Sequence, residues 1–222
     1  MIITENQLKK LSSHKFVSLN EEKENRIKGI KNFSKGNSND KPIVFLSHKH
    51  DELWALEHTI ELIKNCGIDL YIDWMDEEMP KKTCSKTAEK IKEKIKTCDR
   101  FVFIGTEGAI ASKWCNWELG IGDVNKSANL HIAVLPVKKD YNDYSGNEYL
   151  ELYPTIQYQD GNGGYIIKEK RDNTDIFVLP IDNGADKIIG KIPAGYYLQI
   201  LYEDTENTAF IQIKLEEWFK KF

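Results

Sequence analysis

Trp114, Trp117 and Glu118 are the residues of this 222-residue chain whose types and spacing most directly suggest chemistry. On a helix Trp114 and Glu118, four apart, share one face, and Trp117 adjoins it. Two indoles beside one carboxylate make a flat apolar wall with an anionic point. That combination suits a planar cationic ring next to a ribose. The same spacing also fits a plainer arrangement, with both tryptophans in the core and Glu118 on a solvated helix face.

Other candidates lie upstream. Ser47 follows the apolar run Ile43-Val44-Phe45-Leu46, where it either serves a site or caps the next helix. His48, His50 and Asp51 invite a metal reading, but no cysteine partner stands near them, and no metal is expected. Lys81, Lys82 and Lys86 could attract a pyrophosphate or simply form a solvated face. The four cysteines (Cys66, Cys84, Cys98, Cys115) are widely spaced and read as free thiols. The first apolar run is not followed by a GxGxxG turn, so hydride transfer on a dinucleotide-binding fold is not expected. Neither a GxxxxGK[ST] loop nor a GxSxG elbow is present.

The elements that must position these residues begin at Pro42. The run 43–46 suits a parallel strand covered on both faces. Leu53, Leu56, Ile60 and Ile63 recur at helical spacing, and Gly67 fits a left-handed cap. Strands are expected at 68–72, 101–104 and 132–136, with an amphipathic helix at 87–96 and another through Trp117 and Leu119. Strands alternating with helices imply right-handed parallel βαβ units, whose ligands bind outside the carboxyl ends of the strands. Ser47-His48, Asp73-Trp74 and the segment from Gly105-Thr106 to Glu118 converge on that edge. Residues 1–40, polar and containing a candidate helix with Ile27, Ile30 and Phe33, read as an N-terminal extension outside the core. After about residue 140 short strands are expected at 165–167, 176–179 and 196–201, with a turn at 160–164. For 207–214 helix and strand fit equally well before a closing amphipathic segment.

The order of these boxes resembles a TIR (Toll/interleukin receptor) domain, most closely the bacterial members. It comprises Ile43 to His48, Gly67 to Asp73, Met79-Pro80 before a helix, Ser112-Lys113-Trp114-Cys115-Asn116-Trp117-Glu118-Leu119, and a last apolar strand ending in Pro136. The resemblance implies a flavodoxin-like parallel sheet flanked by helices over 41–140, with residues 141–222 as a β-rich extension packed on it. It also implies an NAD+-cleaving enzyme of the kind used in anti-phage defence. Glu118 falls on the family's catalytic glutamate. Phe45, Ser47, His48, Trp74, Trp114 and Trp117 are the implied substrate contacts, with the loop from Asp73-Trp74 gating the pocket. For Phe45 the alternative is simple core packing, and for Trp74 interface or loop packing. NAD+ is then a substrate, and no cofactor is required. The implied partners are further copies of the chain through TIR–TIR contacts and a downstream effector that senses the nucleotide product.

One carboxylate suffices for such a reaction. The nicotinamide of NAD+ is bonded as a cation and leaves neutral, so it needs no general acid, unlike an ordinary glycoside. What remains is a ribosyl cation, which a nearby carboxylate stabilises more in the transition state than in the ground state. Water as acceptor gives ADP-ribose; an internal acceptor gives a cyclic product. Two other readings stay open: a non-catalytic TIR adaptor that works by self-association, and a nucleotide-sugar or deoxyribosyl transferase, marked by a second acidic residue beside the pocket. A net charge of −4 and a pI near 5.8 give no general pull toward nucleic acid or anionic membrane. No apolar run approaches the ~20 residues of a membrane span, and a cytoplasmic location is expected.

Overall fold

The computed structural model describes residues 2–11, 42–73, 76, 84–127, 130–141, 148–165, 167–171, 173–180, 190–203 and 208–221. Strand β1 (Ile3–Thr4) leads into helix α1 (Glu5–Leu11). The alternation follows as β2 (Ile43–Ser47), α2 (Leu53–Asn65), β3 (Asp69–Tyr71), α3 (Ser85–Thr97), β4 (Arg100–Gly105), α4 (Glu107–Ala111), α5 (Lys113–Lys126) and β5 (Ile132–Lys138). After a 3-10 segment, Glu148–Leu152, the described residues are mostly extended: β6 (Thr155–Gln159), β7 (Gly164–Tyr165), β8 (Ile167–Arg171), β9 (Thr174–Pro180), β10 (Gly190–Lys191), β11 (Gly195–Glu203) and β12 (Thr208–Lys214), closed by α6 (Leu215–Lys221). The candidate helix with Ile27, Ile30 and Phe33 lies outside the described residues, as do Trp74, Lys81 and Lys82.

The sheet runs β3-β2-β4-β5-β6-β11-β12-β9-β8. Its first five strands are parallel and, counted along the chain, stand in the order 2-1-3-4-5 of a flavodoxin-like sheet. The expected fold class is therefore observed. Period-two alternation shows why the strands read as continuous apolar runs. Val44, Leu46, Val102, Ile104, Ala133 and Leu135 face one core with α2. Phe45, Phe101, Phe103, Ile132 and Val134 face a second core with α3 and α5. Helix α2 ends as expected, with Gly67 at φ +79°, a left-handed position that a Cβ would disfavour.

Three features depart from expectation. Residues 2–11 belong to the core: β1 pairs in parallel with the end of β5, and Ile3 and Leu8 are each about 1% exposed. Two isolated apolar side chains in a polar stretch gave no periodic signal. The fifth parallel strand, β6, was not anticipated, because Thr155-Ile156-Gln157-Tyr158-Gln159 carries few apolar residues for a strand at the heart of a sheet. Through β6 the strands after residue 140 add antiparallel to the same sheet. The ambiguous 208–214 is a strand, held on both edges by β11 and β9, while Leu215, Trp218 and Phe219 of α6 are buried in the first core.

Candidate active site

The order of the parallel strands reverses between β2 and β4, and the crevice outside their carboxyl ends is where open α/β sheets bind ligands. Ser47 is the last residue of β2, and Glu118 projects from α5, which follows β4. The Ser47 hydroxyl donates to Glu118 Oε2 at 2.6 Å, and both residues are buried, at 1% and 3% exposure. Ser47 does not cap the next helix, whose N-cap is Glu52. Helix α5 starts where it does because Ser112 accepts from the Cys115 N–H at 3.3 Å, setting Trp114 and Glu118 one turn apart as the spacing predicts. Trp114 and Trp117 are half-buried and pack ring to ring at 4.9 Å. Phe45 is enclosed between Tyr71 and Phe101, with ring centroids 5.5 and 5.6 Å away. Its place is beneath the site, in the core.

Burial pushes the Glu118 carboxyl up to about 8, and the charge of Asp73 adds to the shift. The Ser47 hydroxyl, the charge of His50 and a hydrogen bond from Trp114 oppose it. Asp73, 7% exposed, follows β3, and its Oδ2 lies 3.2 Å from His50 Nε2. This hydrogen bond raises the His50 pKa above its usual value. His48 is buried; its Nδ1 donates to the Leu46 carbonyl at 3.0 Å, and burial lowers its pKa to about 4, so the ring is neutral at physiological pH. His48, His50 and Asp73 together form a group that could hold a metal ion.

Supporting contacts reach the site from both sides. Cys115 Sγ donates to the His48 carbonyl at 3.3 Å, tying α5 to the turn after β2, and burial raises its thiol to about 11, a packing cysteine rather than a reactive one. Asn116 donates to the Ile110 and Ser112 carbonyls and accepts from the Tyr149 hydroxyl, so the 3-10 segment braces the helix that carries Glu118. All four cysteines are free thiols, as expected. Asp73 was placed from sequence at the ligand edge, as the start of a loop, but was not paired with His50, and Tyr149 was not singled out; both pairings are long-range and no local pattern reports them.

The sequence profile of the family described as TIR domain matches residues 44–174 of this chain. The chain belongs to the TIR domain family. Among curated proteins it is similar to one named "Probable 3' cyclic ADP-D-ribose synthase ThsB'" from Bacillus cereus (strain MSX-D12), with 32% identity over 130 residues. The match covers 57% of this chain and 64% of that relative's length. The TIR match takes in β2 through β8, and with them Ser47, His48, His50, Asp73, Glu118 and the bracing Tyr149. No helix among the described residues is long and apolar enough to cross a membrane.

Proposed function

We propose that this TIR chain cleaves the nicotinamide–ribose bond of NAD+, with Glu118 as the catalytic carboxylate. The observation that carries the reading is a buried glutamate, oriented by Ser47 and flanked by paired indoles, at the switch point of the sheet. With a pKa near 8, Glu118 holds a proton for much of the time at neutral pH before substrate binds. A cationic nicotinamide riboside entering beside it favours the ionised form, as a nearby positive charge does for any carboxylate. The Ser47 hydroxyl and the Trp114 indole, both donors to Glu118, favour that same form. The carboxylate then faces a growing ribosyl cation while nicotinamide departs neutral, with no acid required.

The relative's name favours an internal acceptor and a cyclic ADP-ribose product over hydrolysis to ADP-ribose. In this reading the product is a signal for a downstream effector in anti-phage defence, Phe45 supports the pocket from below, and Ser47, His48, Trp74, Trp114 and Trp117 surround the substrate. Self-association through TIR contacts completes the assembly. Incubation of the purified chain with NAD+, followed by mass spectrometry, tests the reading. Nicotinamide release that is lost in Glu118→Gln supports it; intact NAD+ at high protein concentration overturns it in favour of the adaptor.

Asp73 is the second acidic residue that a deoxyribosyl transferase would need. It is held by His50, and the TIR family match weighs against that chemistry. A nucleoside-exchange assay with free bases separates the two.

A further inference from the structure

We propose that His48, His50 and Asp73 form a binding site for one divalent transition-metal ion of the zinc class. Two imidazoles and one carboxylate are the ligand set such ions select, whereas magnesium and calcium prefer all-oxygen shells. The ligand atoms of the three residues all lie within 4.8 Å of one another. His50 Nε2 and Asp73 Oδ2 are 3.2 Å apart, close to the roughly 3.3 Å that separates ligands on a tetrahedral zinc with bonds near 2.0–2.1 Å. The His48 and His50 ring centroids are 5.2 Å apart.

Two further features distinguish this cluster from a simple His–Asp pair. His48 Nδ1 donates to the Leu46 carbonyl, which fixes the tautomer with the lone pair on Nε2. A backbone carbonyl behind the ring is the usual support of a metal-ligating histidine. The ligands also come from the ends of two directly paired parallel strands, with Phe45 in register with Tyr71, so the framework is preformed. The His50 side chain is 53% exposed and Asp73 10%, which gives an ion a way in from solvent. From sequence His48, His50 and Asp51 were set aside for want of a cysteine partner; the fold instead brings Asp73, just after β3, to the two histidines.

The site adjoins Glu118, whose charge acts on His50. A bound dication would occupy the electrostatic position of the nicotinamide riboside cation and slow the proposed cleavage. This consequence rests on the NAD+ reading; binding itself does not. The full chain, stripped with chelator, is titrated with Zn2+ by calorimetry and with Co2+ by visible absorption, without NAD+. One equivalent is expected, with the absorption of a low-coordinate Co2+ site. Affinity should fall at least about tenfold in His50→Ala and in Asp73→Asn, and stay unchanged in Cys84→Ser, which removes the exposed thiol. Circular dichroism confirms that each variant is folded. Sub-stoichiometric binding, or equal affinity in the wild type and both ligand variants, overturns the site. In the NAD+ assay, Zn2+ should slow the wild type and leave the residual rate of His50→Ala unaffected; equal slowing of both overturns the blocking role. If NAD+ is never cleaved, the function reading fails while calorimetry still decides the metal site.

Discussion

Ser47 and Glu118, 71 positions apart, share a 2.6 Å hydrogen bond that joins the end of β2 to the face of α5. It holds a carboxylate where burial alone would expel its charge. A group kept in so unfavourable a place is a candidate for work rather than for stability. Replacing Glu118 by Gln keeps the shape and a partner for Ser47 but removes the charge. NAD+ cleavage should fall by at least about 10²-fold, the scale of one lost electrostatic contact in a water-excluded site. Nicotinamide release, with a thermal melt as the folding control, checks this.

The same variant should be more stable than the parent at alkaline pH. The unfolded Glu118 carboxyl titrates near 4.5 and the folded one near 8. Between these values the folded state keeps a proton that the unfolded chain has released, so stability falls as pH rises through the window and levels off above it. Glu118→Gln lacks this loss. Its advantage should be largest at pH 9 and shrink toward pH 5, read from paired denaturant titrations.

Activity should show the opposite trend with pH. The ionised carboxylate is the useful form, so kcat/KM, which reports the free enzyme, should climb to a plateau above about pH 8. The limb in kcat should lie at lower pH, because a bound cationic substrate favours ionisation. Coincident limbs for the two parameters would contradict the idea that substrate charge tunes the group.

Ser47→Ala removes a donor that favours the anion. A charge-assisted hydrogen bond contributes about 1.5–3 kcal/mol, so cleavage should drop roughly 10- to 100-fold. The kcat/KM limb should also move to higher pH. A merely structural role for the hydroxyl would lower the rate without moving the limb.

The parallel half of the fold was legible because its strands are covered on both faces. Residues 44–46 and 101–104 are buried at every position and so read as unbroken apolar runs. The helix bearing Glu118 was legible through the Trp114–Glu118 spacing, whereas its Ser112 cap was not read. What escaped depends on partners distant in sequence. Thr155–Gln159 is a strand because β5 and β11 lie beside it, and Ile3 and Leu8 are core because β1 joins the end of β5. Asp73 meets His50 only once β2 and β3 pair.

Two glycines of the Glu118 helix give a matched test of how tightly α5 is seated. A Cβ on Gly122 would lie 3.0 Å from the ring of Phe101, which is itself stacked on Phe45. Neither ring can yield without disturbing the core beneath the site, so Gly122→Ala should cost about 1–3 kcal/mol through overpacking. A Cβ on Gly120 meets nothing within 4 Å, and its position is exposed. Gly120→Ala should therefore stabilise by roughly 0.5–1 kcal/mol, through the lower backbone entropy of alanine in the unfolded chain. If α5 must lift off β4 to admit the Gly122 methyl, Glu118 moves with it, and the Ser47 contact lengthens. Gly122→Ala should then lose NAD+ cleavage along with stability, while Gly120→Ala gains stability at unchanged rate. Denaturant midpoints measured beside nicotinamide release read both effects, and equal stabilities for the two variants would show that the helix is not seated as described.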